Sequence, residues 1–120
     1  MKGEQGSAGF TLEDLYCAYM PAVYDMAFFF LPNSSDAENV VRDCFVSLAR
    51  CESCFRDRRQ ILGWLILAAA VYSRKWSANA TSPGFTSLLH ALHFLREREG
   101  FTLAELAALL RIFWYKGLSD

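Results

Sequence analysis

Residues 35–50 read SDAENVVRDCFVSLAR, and this stretch has the pattern of a capped amphipathic helix. Ser35 and Glu38 have the S-x-x-E spacing of a capping box, which predicts that the helix begins at Ser35. Apolar residues then recur at i, i+3, i+4, i+7, i+8 and i+11: Ala37, Val40, Val41, Cys44, Phe45 and Leu48. Such a stripe packs against a core and leaves the opposite, polar face free to meet a partner.

The rest of the chain also has helical patterns, and no window shows the sustained alternation of a strand. Thr11 is a candidate cap for a first helix, which Phe10 can staple and Pro21 is expected to kink or restart before it continues to Phe30. A long helix is expected from about Gln60 to Lys75. Its middle is apolar on all sides, which is typical of a buried helix. The sequence therefore predicts an all-α fold.

The region beyond residue 76 is predicted to be a separate segment. Residues 77–85 are small and polar and contain Pro83-Gly84, so we interpret them as a linker between a lobe at 1–76 and a helical segment at 86–120. Gly100 provides a helix stop, and Thr102 with Glu105 forms another capping box. A further helix pair is expected there.

Charge is distributed unevenly although the chain as a whole carries −1. Residues 1–49 hold two basic and seven acidic side chains, whereas residues 50–76 hold six basic and two acidic ones. An acidic segment followed by a basic one favours a protein that docks on a macromolecule and touches nucleic acid. A solvated basic loop is the alternative interpretation.

Three pieces of the chain resemble region 2 of bacterial sigma-70-family factors of the extracytoplasmic-function type. Residues 36–48 are similar to the family's D-A-E-D-L-V-Q-E-x-F-x-x-L helix. Residues 14–24 resemble its E-L-Y-x-x-Y-x-P-x-L-Y opening, and Gly63-Trp64-Leu65 with Ala69 resembles A-W-L-x-x-I-A. Residues 95–107 are similar to the stretch that opens the region 4 helix-turn-helix. The resemblance implies a small helical bundle like region 2, followed by a partial region 4.

This likeness implies a function in promoter-dependent transcription initiation, with core RNA polymerase as the main partner. The residues matching the family's polymerase contact are Glu38, Asn39, Arg42, Asp43 and Val46. Basic residues expected to hold DNA phosphates are Arg56, Arg58, Arg59, Arg74 and Lys75. Promoter DNA, bound weakly, and an anti-sigma-type regulator are the further partners the resemblance implies.

Two departures from the family support a second hypothesis. Leu67, Ala70 and Val71 stand where sigma factors carry polar or aromatic contacts to the promoter's −10 element. The residues after Ile112 do not resemble the second helix of a helix-turn-helix, which is the helix that contacts bases in the DNA major groove. The alternative function is therefore a degenerate sigma-like module that binds polymerase or a regulator without reading promoter DNA.

Other site types are less well supported by the sequence. Cys51 and Cys54 with His90 and His93 could be drawn as a zinc site, but the 35 residues between the pairs do not fit a finger. We expect no metal or other cofactor. Cys17 and Cys44 are expected to be small core residues. Trp64 is also expected to lie in the core.

Enzymatic activity and membrane insertion are not predicted either. No paired carboxylates, phosphate-binding loop or nucleophile with a base appears, so we expect no enzyme. The longest apolar run, Ile61 to Tyr72, has 12 residues, against the roughly 20 that span a bilayer. No secretion signal is recognised, and a cytoplasmic location is expected.

Overall fold

The computed structural model describes residues 11–31, 33–51, 55, 57–76 and 84–116, and these form an all-α bundle. Its five helices are α1 (Leu12–Phe30), α2 (Ser34–Cys51), α3 (Arg58–Trp76), α4 (Gly84–Arg98) and α5 (Leu103–Lys116). No strand occurs within these ranges. None of the helices described has the length and hydrophobicity needed to cross a bilayer.

Helix α3 is the centre of the bundle, and the other four helices pack against it. Every residue from Ile61 to Ala70 is buried, as expected for a segment that is apolar on all sides. The Trp64 ring is fully buried, with the ring of Phe55 at 5.7 Å and that of Phe113 at 6.4 Å between centroids. The prediction that Trp64 is a core residue is confirmed.

Helix α2 begins earlier than predicted, because Asn33 and not Ser35 caps it. The Asp36 amide donates to Asn33 Oδ1 at 2.8 Å, and Asn33 Nδ2 donates back to Asp36 Oδ2 at 3.1 Å. Asn is as good an N-cap as Ser, and Asp36 lies three residues after it, so the reciprocal pair forms two residues upstream. The predicted Ser35–Glu38 capping box is therefore wrong. Glu38 is left exposed on the helix surface.

The other predicted helix ends agree better with the structure. The Asp14 amide donates to Thr11 Oγ1 at 3.0 Å, which confirms Thr11 as the cap of α1, while Phe10 lies outside the described residues. Gly100 has φ of 71° at the end of α4. Thr102 and Glu105 exchange both capping-box hydrogen bonds, at 2.8 and 3.1 Å. The second capping box is thus confirmed.

One smaller expectation, that Cys17 is a core residue, is wrong, and the restart of the first helix at Pro21 does not occur. Cys17 is exposed and not a core residue, although Cys44 is fully buried. Helix α1 continues through Pro21 without a break. Proline has no N–H, so the Cys17 carbonyl lacks its usual helical hydrogen bond from residue 21. Cys17 and Pro21 both lie on the exposed side of α1, where water can donate to this carbonyl instead.

Helices α4 and α5 share the core of α1–α3. Ala91, Leu95, Phe101 and Leu109 are buried in the same cluster as the central part of α3. Most of the predicted linker at 77–85 lies outside the described residues, and α4 already begins at Gly84. The described helices on the two sides of the predicted boundary thus contribute to one hydrophobic core, and the boundary stays a prediction.

Candidate functional site

An open groove runs between α1 and α2, and we call it the α1–α2 groove. Its volume is about 610 Å³, within the range of preformed binding clefts. From α1 it is lined by Leu12, Tyr16, Met20 and Tyr24, and from α2 by Glu38, Val41, Arg42, Phe45, Val46 and Ala49. The lining is mostly apolar, with two charged side chains from α2.

The apolar part of the groove combines a buried floor with exposed edges. Val41 and Phe45 are almost completely buried, and the Tyr16 ring packs edge-on to Phe45 with 4.9 Å between centroids. On the edges, Tyr16 is 43% exposed and Val46 is 49% exposed. Apolar side chains that are this exposed, beside a buried apolar floor, favour the binding of an apolar partner surface.

The predicted polymerase-binding residues fall into two groups. Glu38, Arg42 and Val46 line the α1–α2 groove. Asn39 and Asp43 do not line it and are half-buried. Arg42 Nη1 donates to Asn39 Oδ1 at 3.0 Å, which restrains the Arg42 guanidinium beside the groove.

Residues of α1 were not predicted as part of this site. Leu12, Tyr16, Met20 and Tyr24 follow one another at intervals of four residues, so they lie along a single face of α1. That spacing is visible in the sequence. It does not by itself distinguish a stripe that lines a groove from one that packs in the core.

Arg59, one of the predicted DNA-binding residues, makes several contacts within the protein. Its Nε donates to Glu105 Oε2 at 2.6 Å, and its Nη2 donates to Glu105 Oε1 at 3.3 Å and to the Glu99 carbonyl at 3.1 Å. The guanidinium also lies over the Phe101 ring, 4.2 Å from its centroid. Arg59 thus joins the start of α3 to the start of α5.

Electrostatics at this pair follow from the bidentate geometry. The hydrogen bond to Glu105 raises the pKa of Arg59 above its usual value. Hydrogen bonds from Arg59, and then from the Thr102 amide, lower the pKa of the Glu105 carboxyl. Because the carboxylate stays charged over a wider range, Arg59 is neutralised by a partner within the chain.

The two other candidate cations whose side chains the structure describes, Arg58 and Arg74, lie far apart. Arg58 lies over the Tyr19 ring at 5.6 Å, and its carbonyl accepts from the Tyr19 hydroxyl at 3.4 Å. Arg74 is exposed at the other end of α3, about 24 Å away by helix rise. Arg56 lies outside the described residues, and Lys75 is described only by its helical backbone.

The positions that depart from the sigma pattern are in the interior. Leu67 and Ala70 are fully buried, and Val71 is half-buried. This face of α3 is covered by protein, so Leu67 and Ala70 do not touch a DNA strand in this arrangement.

The cysteine and histidine pairs considered for zinc are only partly described. The Cys51 and Cys54 side chains lie outside the described residues, while the His90 ring packs against Phe29 and Phe30, at 5.2 and 6.0 Å between centroids. Among the described side chains, no group of three metal-ligating residues is placed to hold an ion.

No family model, curated protein or solved structure matches this chain. The likeness to sigma factors accordingly rests on the motifs in residues 14–24, 36–48, 63–69 and 95–107.

Proposed function

We propose that this chain is a sigma-70-like protein that binds core RNA polymerase through the α1–α2 groove and takes part in promoter-dependent transcription initiation. The observation that carries the proposal is that Glu38, Arg42 and Val46, three residues within the motif most similar to sigma factors, line an open apolar groove. The sigma-like motif and the exposed apolar groove therefore share residues of α2.

The groove suits one recognised mode of protein recognition. An amphipathic helix from a partner can lay its apolar side on Tyr16, Phe45 and Val46, while Glu38 and Arg42 meet polar groups at the edge. Charges at such edges contribute to orientation and specificity more than to affinity. A helical element of the polymerase is the occupant that the sigma likeness implies.

The test is co-purification of core RNA polymerase with the intact chain. Val46→Glu places a charge in the groove at a half-exposed position, so it should preserve helicity and weaken polymerase binding by about tenfold or more. Leu103→Glu is the matched control, because Leu103 is 67% exposed on α5 and does not line the groove. Equal binding by the parent and Val46→Glu would contradict the proposal.

A second candidate function is a sigma-like interaction module that binds polymerase or a regulator without reading promoter DNA. It is favoured by the burial of Leu67 and Ala70 and by the pairing of Arg59 with Glu105. The two functions are separated by binding to an opened −10-type oligonucleotide at several salt concentrations. Sequence-selective binding supports the initiation factor. Weak binding with a shallow salt dependence supports the module.

A further inference from the structure

A second groove lies between α1 and α4, and we call it the α1–α4 groove. Both helices pack on α3, and their own contact is made by the Phe29 and Phe30 rings against His90. The space left between them has a volume of about 550 Å³. Its position on the opposite side of α1 makes it distinct from the proposed polymerase surface.

The α1–α4 groove carries two exposed aromatic side chains. Phe29 is 64% exposed and Phe28 is 45% exposed, and both line the groove together with Phe94. Large apolar side chains that are exposed side by side favour an interaction site.

Charges at the two edges of the groove indicate which partner it fits. The α1 edge carries Asp25, whereas the α4 edge carries Arg98 and Glu97. The Arg98 guanidinium lies over the Phe94 ring at 5.0 Å, which keeps it beside the groove. Asp25 and Arg98 are therefore opposite charges on the two edges of the groove.

We propose that the α1–α4 groove binds a second copy of this chain in a two-fold symmetric dimer. In an isologous interface, the same patch is used by both copies, so each edge can meet the opposite edge of its partner. Antiparallel docking of α1 on the partner's α4 brings Asp25 near the partner's Arg98. It also covers Phe28 and Phe29 of both copies.

The primary test is the mass of the intact chain by sedimentation velocity across a wide concentration range. The parent should change from one chain to two as concentration rises. Phe29→Glu should weaken association by about tenfold or more, since an exposed aromatic anchor is replaced by a charge. Leu103→Glu, equally exposed but on α5, should dimerise like the parent, and circular dichroism should show all three to be folded.

A charge exchange tests the predicted pairing of edges. Asp25→Arg alone and Arg98→Asp alone should each weaken the dimer, and the double variant should restore it, because opposite charges again face each other. A parent chain that stays monomeric at all concentrations would overturn the proposal. So would a dimer that is disrupted by Val46→Glu but not by Phe29→Glu, since that result would assign self-association to the α1–α2 groove.

Discussion

Individual side chains decide which of the sequence-predicted contacts remain open to a partner. Arg59 was expected to bind DNA phosphate, yet it is held by Glu105, the Glu99 carbonyl and the Phe101 ring. Glu38 was expected to close a capping box, yet it is exposed beside the α1–α2 groove. In both cases, the residue type indicated the charge of the side chain but not which group that side chain contacts.

Leu67 and Ala70 provide a test at the residue scale. Replacing both by arginine, the residue usual in sigma factors, should unfold the chain and not strengthen DNA binding. Each substitution places an unpaired charge in the core at a cost of roughly 3–5 kcal/mol, against a total stability of about 5–15 kcal/mol for a domain. Thermal melting followed by circular dichroism measures the effect.

The control is Leu89→Arg, the same chemical change at a residue of α4 that is 48% exposed. It should leave the melting temperature close to that of the parent. A folded double variant with higher affinity for an opened promoter strand would instead show that α3 presents Leu67 and Ala70 to DNA.

At the scale of helices, the start of α2 determines which side chains its surface offers. With Asn33 as the cap, Asp36 occupies the third helical position and returns the bond to Asn33. Glu38 then lies a further half-turn along, where it lines the α1–α2 groove together with Val46. A cap at Ser35 would use the Glu38 carboxylate for the backbone and remove it from the groove.

The location of this cap can be tested with two alanine substitutions. Asn33→Ala should lower the free energy of unfolding by about 1 kcal/mol, because the Asp36 amide loses its acceptor. Ser35→Ala should change it by less than about 0.5 kcal/mol. Urea denaturation measures both values. A larger loss for Ser35→Ala would place the cap where the sequence motif predicted it.

Across the whole molecule, α3 and α5 approach closely at position 63, where any side chain would press on α5. A Cβ atom added to Gly63 would lie 2.5 Å from Leu109 Cδ2 and 3.1 Å from the Phe101 ring. Leu109 is itself fully buried, so its side chain cannot move into solvent. This contact joins the C-terminal helix pair to the core formed by the first three helices.

A double-mutant cycle tests that contact. Gly63→Ala should destabilise the parent by about 1–3 kcal/mol through overpacking. In a Leu109→Ala background, the same change should cost less or be neutral, since the 2.5 Å contact with Leu109 is removed and alanine favours the helix by about 1 kcal/mol over glycine. Equal effects in both backgrounds would show that α5 does not pack on Gly63.

The sequence alone determined the helical class, the long helix with an apolar run at residues 61–72, and the caps at Thr11 and Thr102. These features depend on local periodicity and on hydrogen bonds between residues three or four apart, which are readable from neighbours in the chain. The competition between Asn33 and Ser35 was not resolved locally, because both are good caps with an acid three residues later.

Only the tertiary structure decided how the helices combine into surfaces. The groove stripe at Leu12, Tyr16, Met20 and Tyr24 has the same spacing as a core stripe, and whether it is covered depends on where α2 lies. The pairing of Arg59 with Glu105 joins residues 46 positions apart, which no local pattern specifies. Burial and long-range pairing are properties of the packed chain, and for this reason the sequence indicated which residues carry charge or apolar surface but not which of them face a partner.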